Sequence, residues 1–298
     1  MTQFSAIDLS ALPAPSIIEQ VDYESILAAM LADLVERYPE FDALVESDPA
    51  FKILEVAAYR ETLVRQRVNE AARAVMLAYA AGTDLDQIGA NYNVERLLVD
   101  PGDPDAVPPI DPIYEADDDF RRRIQLSPEG HTTAGSAGSY VFHTLSADAQ
   151  VRDAQATSPL PGDVSVYVLS KAGQGAADTV LIETVEAALN AENVRPLTDR
   201  VTVLSASITE YEIEASLTVL PGPDAEVVRI AALDAAQAYA DQQHRLGYDI
   251  TISGLMAALH QSGVHNVNLI SPADSIVMGE GEAAYCTSVT VTVSGTDV

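Results

Sequence analysis

The sequence predicts an α+β protein, in which an N-terminal helical domain built around one long helix precedes two small α+β units. Apolar residues keep helical spacing in the first third of the chain, prolines crowd residues 99–114, and alternating strand patterns begin at Val151. A chain of 298 residues can bury about 75% of its unfolded surface, which leaves room for several domains. The expected divisions are an arm and helical core domain over 1–98, a Pro/Asp-rich linker with short helices over 99–149, a first α+β unit over 150–208 and a second over 209–298.

The N-terminal region is predicted to begin as an extended arm and to continue as an amphipathic helix. Asp22 can cap this helix, and Pro39 ends it because proline lacks the amide hydrogen that a helix interior requires. A short helical piece is expected before the next long helix. The apolar residues that keep helical spacing are Ile26, Leu27, Met30, Leu31, Leu34 and Tyr38.

The most informative segment is a long helix, predicted to run from Asp48 to Tyr79. Asp48 can accept hydrogen bonds from the first free amides, and Pro49 suits the first helical position. Gly82 is expected to end this helix and to precede the cap of a short second one. At about 1.5 Å per residue the long helix would measure roughly 48 Å, more than a compact small domain needs, which indicates a role in assembly.

One face of this long helix carries a continuous apolar stripe. At about 100° per residue its members fall on one side and polar residues fall opposite, so we expect the stripe to be buried. The stripe consists of Ile53, Ala57, Val64, Val68, Ala71, Val75 and Ala78. The opposite side consists of Glu55, Thr62, Gln66, Asn69 and Arg73.

Two arginines at the edge of the stripe, Arg60 and Arg67, have two possible roles. Buried charges are almost always paired, so these side chains would commonly bind Asp or Glu elsewhere in the same chain. Alternatively they contact a partner subunit, since arginine is enriched among interface anchors. The candidate assembly interface comprises Arg60, Val64, Arg67, Val68, Ala71 and Val75.

A proline-rich stretch, Val99 to Tyr114, is predicted to be a linker or surface loop between the helical and α+β halves. Its five prolines interrupt any periodicity, and we expect it to act as a hinge. After it, Asp117–Asp119 and Arg121–Arg123 stand at the i, i+4 spacing that favours a short helix with locally neutralised charges.

The remainder of the chain is predicted to form two β-α-β units in succession. In the first, DVSVYVLS and RVTVLSASI are strands that flank a helix over Asp178 to Asn190. In the second, the strand TEYEIEASLTVL precedes a helix over Asp224 to His244. A further helix, capped by Ser253, and the strands VHNVNLI and CTSVTVTVS complete it.

The chain is strongly acidic, with a net charge of -29, and this excludes phosphate-backbone binding as its main task because like charges repel. Nucleic acid is therefore not an expected partner. The start has neither a basic region nor a long apolar one, and no run of about 18 uncharged apolar residues occurs. We therefore expect a soluble chain made in a cytoplasm, without membrane insertion.

No catalytic, cofactor-binding or metal-binding constellation stands out in the sequence. Gly173 and Gly175 precede a helix as in a phosphate loop, but Asp178 replaces the third glycine and would repel a phosphate. A turn followed by a helix cap is therefore favoured. The histidines lack metal-site spacing, and Cys286, being the single cysteine, excludes an intrachain disulfide. We expect no cofactor and no enzyme activity.

Six stretches of the chain together carry a family resemblance. The most specific is DPAFKILEVAAYRETLVRQRVNEAARAVMLAYAAGTDLDQIGANYNV, a long helix that leads into AAGTDLD. The others are DDDFRRRIQL, TAGSAGSYVFHTLSADAQVRDA, PGDVSVYVLS, NVRPLTDRVTVLSA and HRLGYDITISGLMAALHQSGVHNVNLISP. From about residue 20 onward, the chain resembles the J-like baseplate wedge family of contractile phage tails and R-type tailocins.

The resemblance implies a structural role without catalytic residues. Copies would pair with each other and with a tail protein I-like partner in wedges, which close into a ring around the hub and spike and couple baseplate rearrangement to sheath contraction. A W-like sheath initiator of the inner baseplate is a further implied partner, and hub, spike, sheath and tail fibres are indirect ones. The implied location is the bacterial cytoplasm during assembly and then the baseplate of the mature virion or tailocin.

Two other functions compete with this expectation. One is a nucleotide-dependent enzyme that uses the Gly173–Asp178 loop. The other is an adaptor in a different secretion or injection machine.

Overall fold

The structure, a computed structural model, describes Ile7, Leu9 and residues 12–13, 15–40, 45–132, 134–222 and 224–298. The chain forms two compact units. The helical unit comprises Ile7–Glu95 and Asp117–Ile124, and the mixed unit comprises Arg96–Ala116 and Gln125–Val298.

Helices and strands both contribute to the described chain, and helices come first, which confirms the predicted α+β class. The helices are α1 (Tyr23–Arg37), α2 (Pro49–Ala74), α3 (Gly82–Asn91), α4 (Asp117–Gly130), α5 (Ala137–Ala147), α6 (Thr179–Leu189), α7 (Ala225–Gln243) and α8 (Ile252–Leu259). The strands are β1 (Leu98–Asp100), β2 (Ile113–Tyr114), β3 (Val151–Leu160), β4 (Asp163–Ser170), β5 (Arg200–Ser205), β6 (Ser207–Val219), β7 (Val264–Ser271) and β8 (Glu282–Thr296).

In the helical unit, α1 packs against α2 through a small apolar cluster. The predicted cap of α1 is confirmed, because the Asp22 carboxylate accepts a hydrogen bond from the Ser25 amide at 3.0 Å. Ile26 and Leu27 of α1 meet Ala58 of α2 in the buried part of the cluster. The short helical piece expected between these helices falls partly on residues 41–44, outside the described residues.

Helix α2 ends earlier than predicted. The sequence analysis extended it to Tyr79, whereas the regular helix stops at Ala74 and continues as turns. In these turns the Tyr79 amide donates to Met76 O at 2.9 Å, three residues back instead of four. With 26 residues, α2 measures about 39 Å. Gly82 does not end α2 but begins α3, with a left-handed φ of 53°.

The charged start of α4 fastens the turn between α2 and α3. Arg121 pairs with Asp118 at i, i+3, and its guanidinium also donates to Leu77 O at 2.8 Å and to Ala80 O at 2.7 Å. Asp117 accepts a hydrogen bond from the Gly82 amide at 3.0 Å. The arginine run therefore satisfies carbonyl groups at a helix end as well as neighbouring carboxylates.

The mixed unit begins with a hairpin where the sequence predicted a structureless loop. Strands β1 and β2 pair antiparallel, and Asp103 and Ile110 form a further bridge between them. The prolines remove donors from this segment, so only short ladder pieces form.

The first three-stranded sheet has the order β3-β4-β5 and packs against α5 and α6. Strand β4 runs antiparallel to β3 and parallel to β5, with α6 in the crossover. Strand β3 was not predicted, because its sequence VRDAQATSPL is largely polar although several residues of its first half are buried. The predicted strand RVTVLSASI is divided at Ala206, where β5 ends and β6 begins.

The second three-stranded sheet has the order β7-β6-β8, with β6 antiparallel to β7 and parallel to β8. Helices α7 and α8 cover one face, on which alternate β6 residues are buried. Helix α8 is capped by Thr251 and not by Ser253 as predicted: the Thr251 hydroxyl accepts from the Gly254 amide at 3.2 Å. The cap lies two residues earlier because the hydroxyl must reach the third amide beyond it.

Candidate assembly interface

The packed face of α2 is narrow and partly polar. Ala58 and Asn69 are its buried residues, and Asn69 is only 8% exposed. The Asn69 side-chain amide donates to Glu19 O at 2.8 Å, and its oxygen accepts from the Glu19 amide at 3.2 Å. One side chain thereby satisfies both main-chain groups of Glu19 and holds the segment before α1 against α2.

Five of the seven residues of the predicted apolar stripe are exposed and the other two, Ala57 and Ala78, are half-buried, so the expectation that the stripe is buried within the chain is wrong. Val64 is 62% exposed and Val75 is 75% exposed. The stripe is centred roughly 130° around the helix from Ala58, at about 100° per residue. Helix α1 packs instead on the Ala58 side, where a small side chain permits close approach. Asn69, expected on the exposed side, is buried because the Glu19 main chain satisfies its amide.

All six candidate interface residues are exposed on the isolated chain: Arg60, Val64, Arg67, Val68, Ala71 and Val75. The apolar surface is wider than the sequence analysis supposed, because Val56, Tyr59 and Leu63 on the same flank are exposed too. These three were overlooked because each lies at the margin of the stripe. We name as the α2 stripe the exposed residues Ile53, Val56, Leu63, Val64, Val68, Ala71 and Val75. Continuous exposed apolar surfaces are typical of interaction sites, so the α2 stripe is the candidate assembly interface of the chain.

The two arginines at the edge of the α2 stripe are not buried as expected. Arg67 approaches Glu70 at 3.4 Å, but its side chain is 80% exposed, and exposed ion pairs of this kind contribute little to stability. Arg60 is exposed and forms no hydrogen bond or ion pair with any residue of the described chain. Both guanidinium groups are therefore accessible to carboxylates of a partner.

A third arginine of α2, Arg65, forms its ion pairs within the chain. Its guanidinium binds Glu61 at 2.6 Å and Glu19 at 3.3 Å. The hydrogen bond to Glu61 and the charge of Glu19 raise the pKa of Arg65. This arginine helps to hold the segment before α1 and lies beside the packed face, away from the α2 stripe.

The loop weighed as a nucleotide site is a turn followed by a helix cap, as predicted. Asp178 accepts a hydrogen bond from the Leu181 amide at 2.8 Å, and the Gly175 amide donates to Ala172 O at 3.1 Å. The carboxylate thus occupies the start of α6, where a phosphate would have to bind. No observation favours a nucleotide at this loop.

The described residues were also considered as a metal site and as a membrane-spanning segment. Within them, no three His, Cys, Asp or Glu side chains cluster in a way that could hold a metal ion. None of the helices in that part of the chain combines the length and apolarity needed to cross a membrane. Cys286 is half-buried, and its thiol donates to Ser288 O at 3.3 Å.

Comparison with known proteins covers the chain almost end to end. The Baseplate J-like N-terminal domain matches residues 46–103, the Baseplate J-like central domain matches 132–205, and the Baseplate J-like protein C-terminal domain matches 211–292. The chain is also 49% identical to Baseplate protein J of Escherichia phage P2, over 98% of this chain and 99% of that relative. The first of the matched domains contains the whole of α2 and its exposed stripe. On this agreement in sequence and extent, the chain belongs to the baseplate J-like family.

Proposed function

We propose that this chain is a structural subunit of the baseplate of a contractile tail, and that it forms wedges that close into a ring around the hub and spike. The likeness to Baseplate protein J of phage P2 supports a baseplate role. The observation that carries the proposal is the α2 stripe, because a soluble chain rarely exposes a continuous apolar surface along a helix without a partner. The role is mechanical and requires no catalytic residue.

The proposed partners are further copies of this chain and a tail protein I-like subunit, joined along the α2 stripe. A partner helix with an apolar seam would bury Val64 and Val68, at about 25 cal/mol for each Å² of apolar surface removed from water. Carboxylates at the rim of that helix would meet Arg60 and Arg67. A W-like sheath initiator is proposed as a further neighbour, and hub, spike, sheath and tail fibres as indirect ones.

The charge distribution favours a contact along α2 over one elsewhere. From Pro49 to Ala74 the chain has five basic and three acidic residues, a net of +2, while the whole chain has a net charge of -29. Two copies therefore repel each other less through α2 than through most of their remaining surface. Contacts that repeat by rotation close a ring, as a wedge protein requires.

Substitutions on α2 test this proposal. Val64→Asp places a charge in the α2 stripe, and Gln66→Asp places the same charge at an exposed polar position two residues away. Since both sites are exposed, we expect both variants to keep the helical content and melting temperature of the parent by circular dichroism. We expect Val64→Asp to reduce the yield of complete particles at least about tenfold, since desolvating an unpaired charge at an interface costs several kcal/mol.

The matched variant separates assembly from general damage. Particle yield is counted by electron microscopy after complementation of a tail cluster that lacks this chain. Normal particles with Val64→Asp, or an equal loss with Gln66→Asp, would contradict the role of the α2 stripe. Unfolding of Val64→Asp would show that the residue is packed after all.

Coupling to sheath contraction is the finer part of the proposal. The hairpin at 98–114 contains the proline-rich stretch in which the sequence predicts a hinge. Maps of the particle before and after contraction would reveal whether the angle between the two units of the chain changes. An unchanged angle would remove the hinge while leaving the structural role in place.

A further inference from the structure

Within the mixed unit, strand β3 of the first sheet is bound to the end of helix α7 beside the second sheet. Arg152 Nε donates to His244 O at 3.0 Å, and its Nη2 donates to Asp241 O at 2.8 Å. The next residue, Asp153, is 2% exposed and accepts a hydrogen bond from the Leu246 amide at 3.1 Å. The bond to Asp153 is buried and fixes a single geometry, because a lost partner there would leave an unsatisfied group.

Further contacts complete this junction, by which we mean the surface between the β3-β4-β5 and β7-β6-β8 sheets. Gln155 accepts a hydrogen bond from the Gly281 amide at 2.7 Å. A β-carbon on Gly281 would lie 2.3 Å from the Tyr167 ring, so the two surfaces approach closely there. The buried apolar part of the junction consists of Leu169, Ala206, Leu246 and Ala283.

His244 lies at the centre of the junction and is 7% exposed. Its Nδ1 lies 2.7 Å from Ala284 O, and because a carbonyl oxygen can only accept, Nδ1 must carry the hydrogen. In the neutral ring Nε2 is therefore unprotonated. A β-carbon on Gly175 would lie 3.0 Å from this Nε2, which shows how closely the loop after β4 covers it.

We propose that His244 is an acid-sensitive switch, which holds the two sheets of the mixed unit together while it is neutral and loosens their junction when Nε2 is protonated. A proton on Nε2 would need an acceptor and hydration where Gly175 closes over the ring. The proposal concerns this junction alone and does not rest on the role of α2.

The charged groups around His244 come from three elements. Arg152 of β3 disfavours a second positive charge, whereas Asp153 of β3 and Asp241 of α7 favour one. The loop after β4 contains the exposed Lys171 and Asp178, and the uncharged ring of Tyr285 on β8 lies edge-on with its centroid 5.4 Å away.

Burial outweighs the two carboxylates near His244. Desolvation is the largest influence, and it lowers the pKa of His244 below its ordinary value of 6.5, with Arg152 acting in the same direction. The unfolded chain therefore binds this proton more readily than the folded one. The contribution of His244 to stability is complete above the ordinary pKa and is lost as the pH falls through the lowered one.

Hydrogen exchange measured on the whole chain tests this switch. The amides of Leu246 and Gly281 donate across the junction and report on it, while those of Val166 and Val168 inside β4 serve as internal references. Between about pH 7.5 and about pH 5, we expect the protection of the junction amides to fall about tenfold after correction for intrinsic exchange. We expect the β4 amides to keep their protection.

Two variants assign the effect to His244. His244→Asn keeps a donor for Ala284 O but cannot titrate, so its junction should keep constant protection over this pH range. His260→Asn, at an exposed histidine, should behave as the parent does. Constant protection in the parent, or an undiminished pH response in His244→Asn, would overturn the proposal, the latter by assigning the response to other groups.

A measurement on the unaltered protein guards against a variant that fails to fold. The Cε1 proton of His244 is followed by NMR while the pH is lowered, and its midpoint is compared with that of exposed His260. A midpoint below that of His260, together with line broadening of junction amides over the same range, supports the switch. A midpoint at or above that of His260 would overturn it.

Discussion

At the scale of single residues, Asn69 illustrates how a buried polar side chain positions a chain segment. Its two hydrogen bonds reach the amide and carbonyl of Glu19, so neither partner remains unsatisfied. Arg65 reaches the same residue from outside, through the Glu19 carboxylate at 3.3 Å. The two hydrogen bonds and the ion pair hold one segment, but the hydrogen bonds are part-buried whereas the ion pair is exposed to solvent.

We predict that Asn69→Ala lowers the free energy of unfolding by about 1–3 kcal/mol, because it leaves the main-chain groups of Glu19 without their partner. Arg65→Ala is the matched control, which removes the exposed ion pairs to Glu19 and Glu61 and should have a much smaller effect. Urea denaturation followed by circular dichroism measures both. Equal losses in the two variants would mean that Asn69 does not position the segment.

At the scale of elements, the sequence predicted α2 and its start correctly but assigned its faces wrongly. The helical period fixes where residues lie around the helix axis relative to one another. It does not say which side of the helix packs against the rest of the chain. The apolar stripe was therefore taken as the packed side, whereas α1 covers the side with Ala58 and Asn69. The candidate interface residues stay a prediction, which their exposure supports because an exposed apolar surface favours contact with a partner.

Other elements show the same limit of local sequence. Strand β3 escaped prediction because its buried apolar residues Val151 and Ala154 do not alternate, and Asp153 between them is buried but polar and bonded to the distant Leu246 amide. The predicted helix α2 is too long because Arg121, a distant residue in the chain, binds carbonyl oxygens of the turn that follows α2. Both outcomes depend on long-range contacts, which a periodicity does not contain.

Replacing two alanines of α2 by leucine, one on each face, tests which face is packed. Ala58→Leu enlarges a fully buried residue against α1 and should lower the free energy of unfolding by about 1–3 kcal/mol through overpacking. Ala71→Leu makes the same change in the α2 stripe and should leave stability within about 0.5 kcal/mol. Thermal unfolding of the two variants decides between the faces. Destabilisation by Ala71→Leu with none by Ala58→Leu would restore the original assignment.

At the scale of the whole molecule, the net charge of -29 opposes the approach of any two copies. The repulsion is long-ranged and is screened within about 10 Å at 0.1 M salt, whereas an apolar contact along α2 is not weakened by salt. Assembly of such a chain would therefore balance a favourable apolar contact along α2 against the unfavourable repulsion between the net charges of the copies.

We predict that self-association of the purified chain strengthens as salt rises from about 0.05 M to about 0.5 M, because screening reduces the repulsion between copies. Sedimentation velocity at a series of protein concentrations measures the dissociation constant at each salt concentration. Val64→Asp serves as a reference in which association should be weak throughout. Association that weakens with salt would show that ion pairs, such as those available to Arg60 and Arg67, dominate over the apolar contact.

The passage from β5 to β6 contains a single intervening residue, Ala206, and so leaves the main chain no slack between the two sheets. Its amide is itself bonded to Val168 O at 2.9 Å. A force on one sheet is therefore transmitted to the other, because no flexible linker lies between them to absorb the displacement. For the proposed role in a contractile tail, this short connection would keep the two sheets moving together as one stiff body, and a few glycines inserted at Ala206 would make the connection flexible.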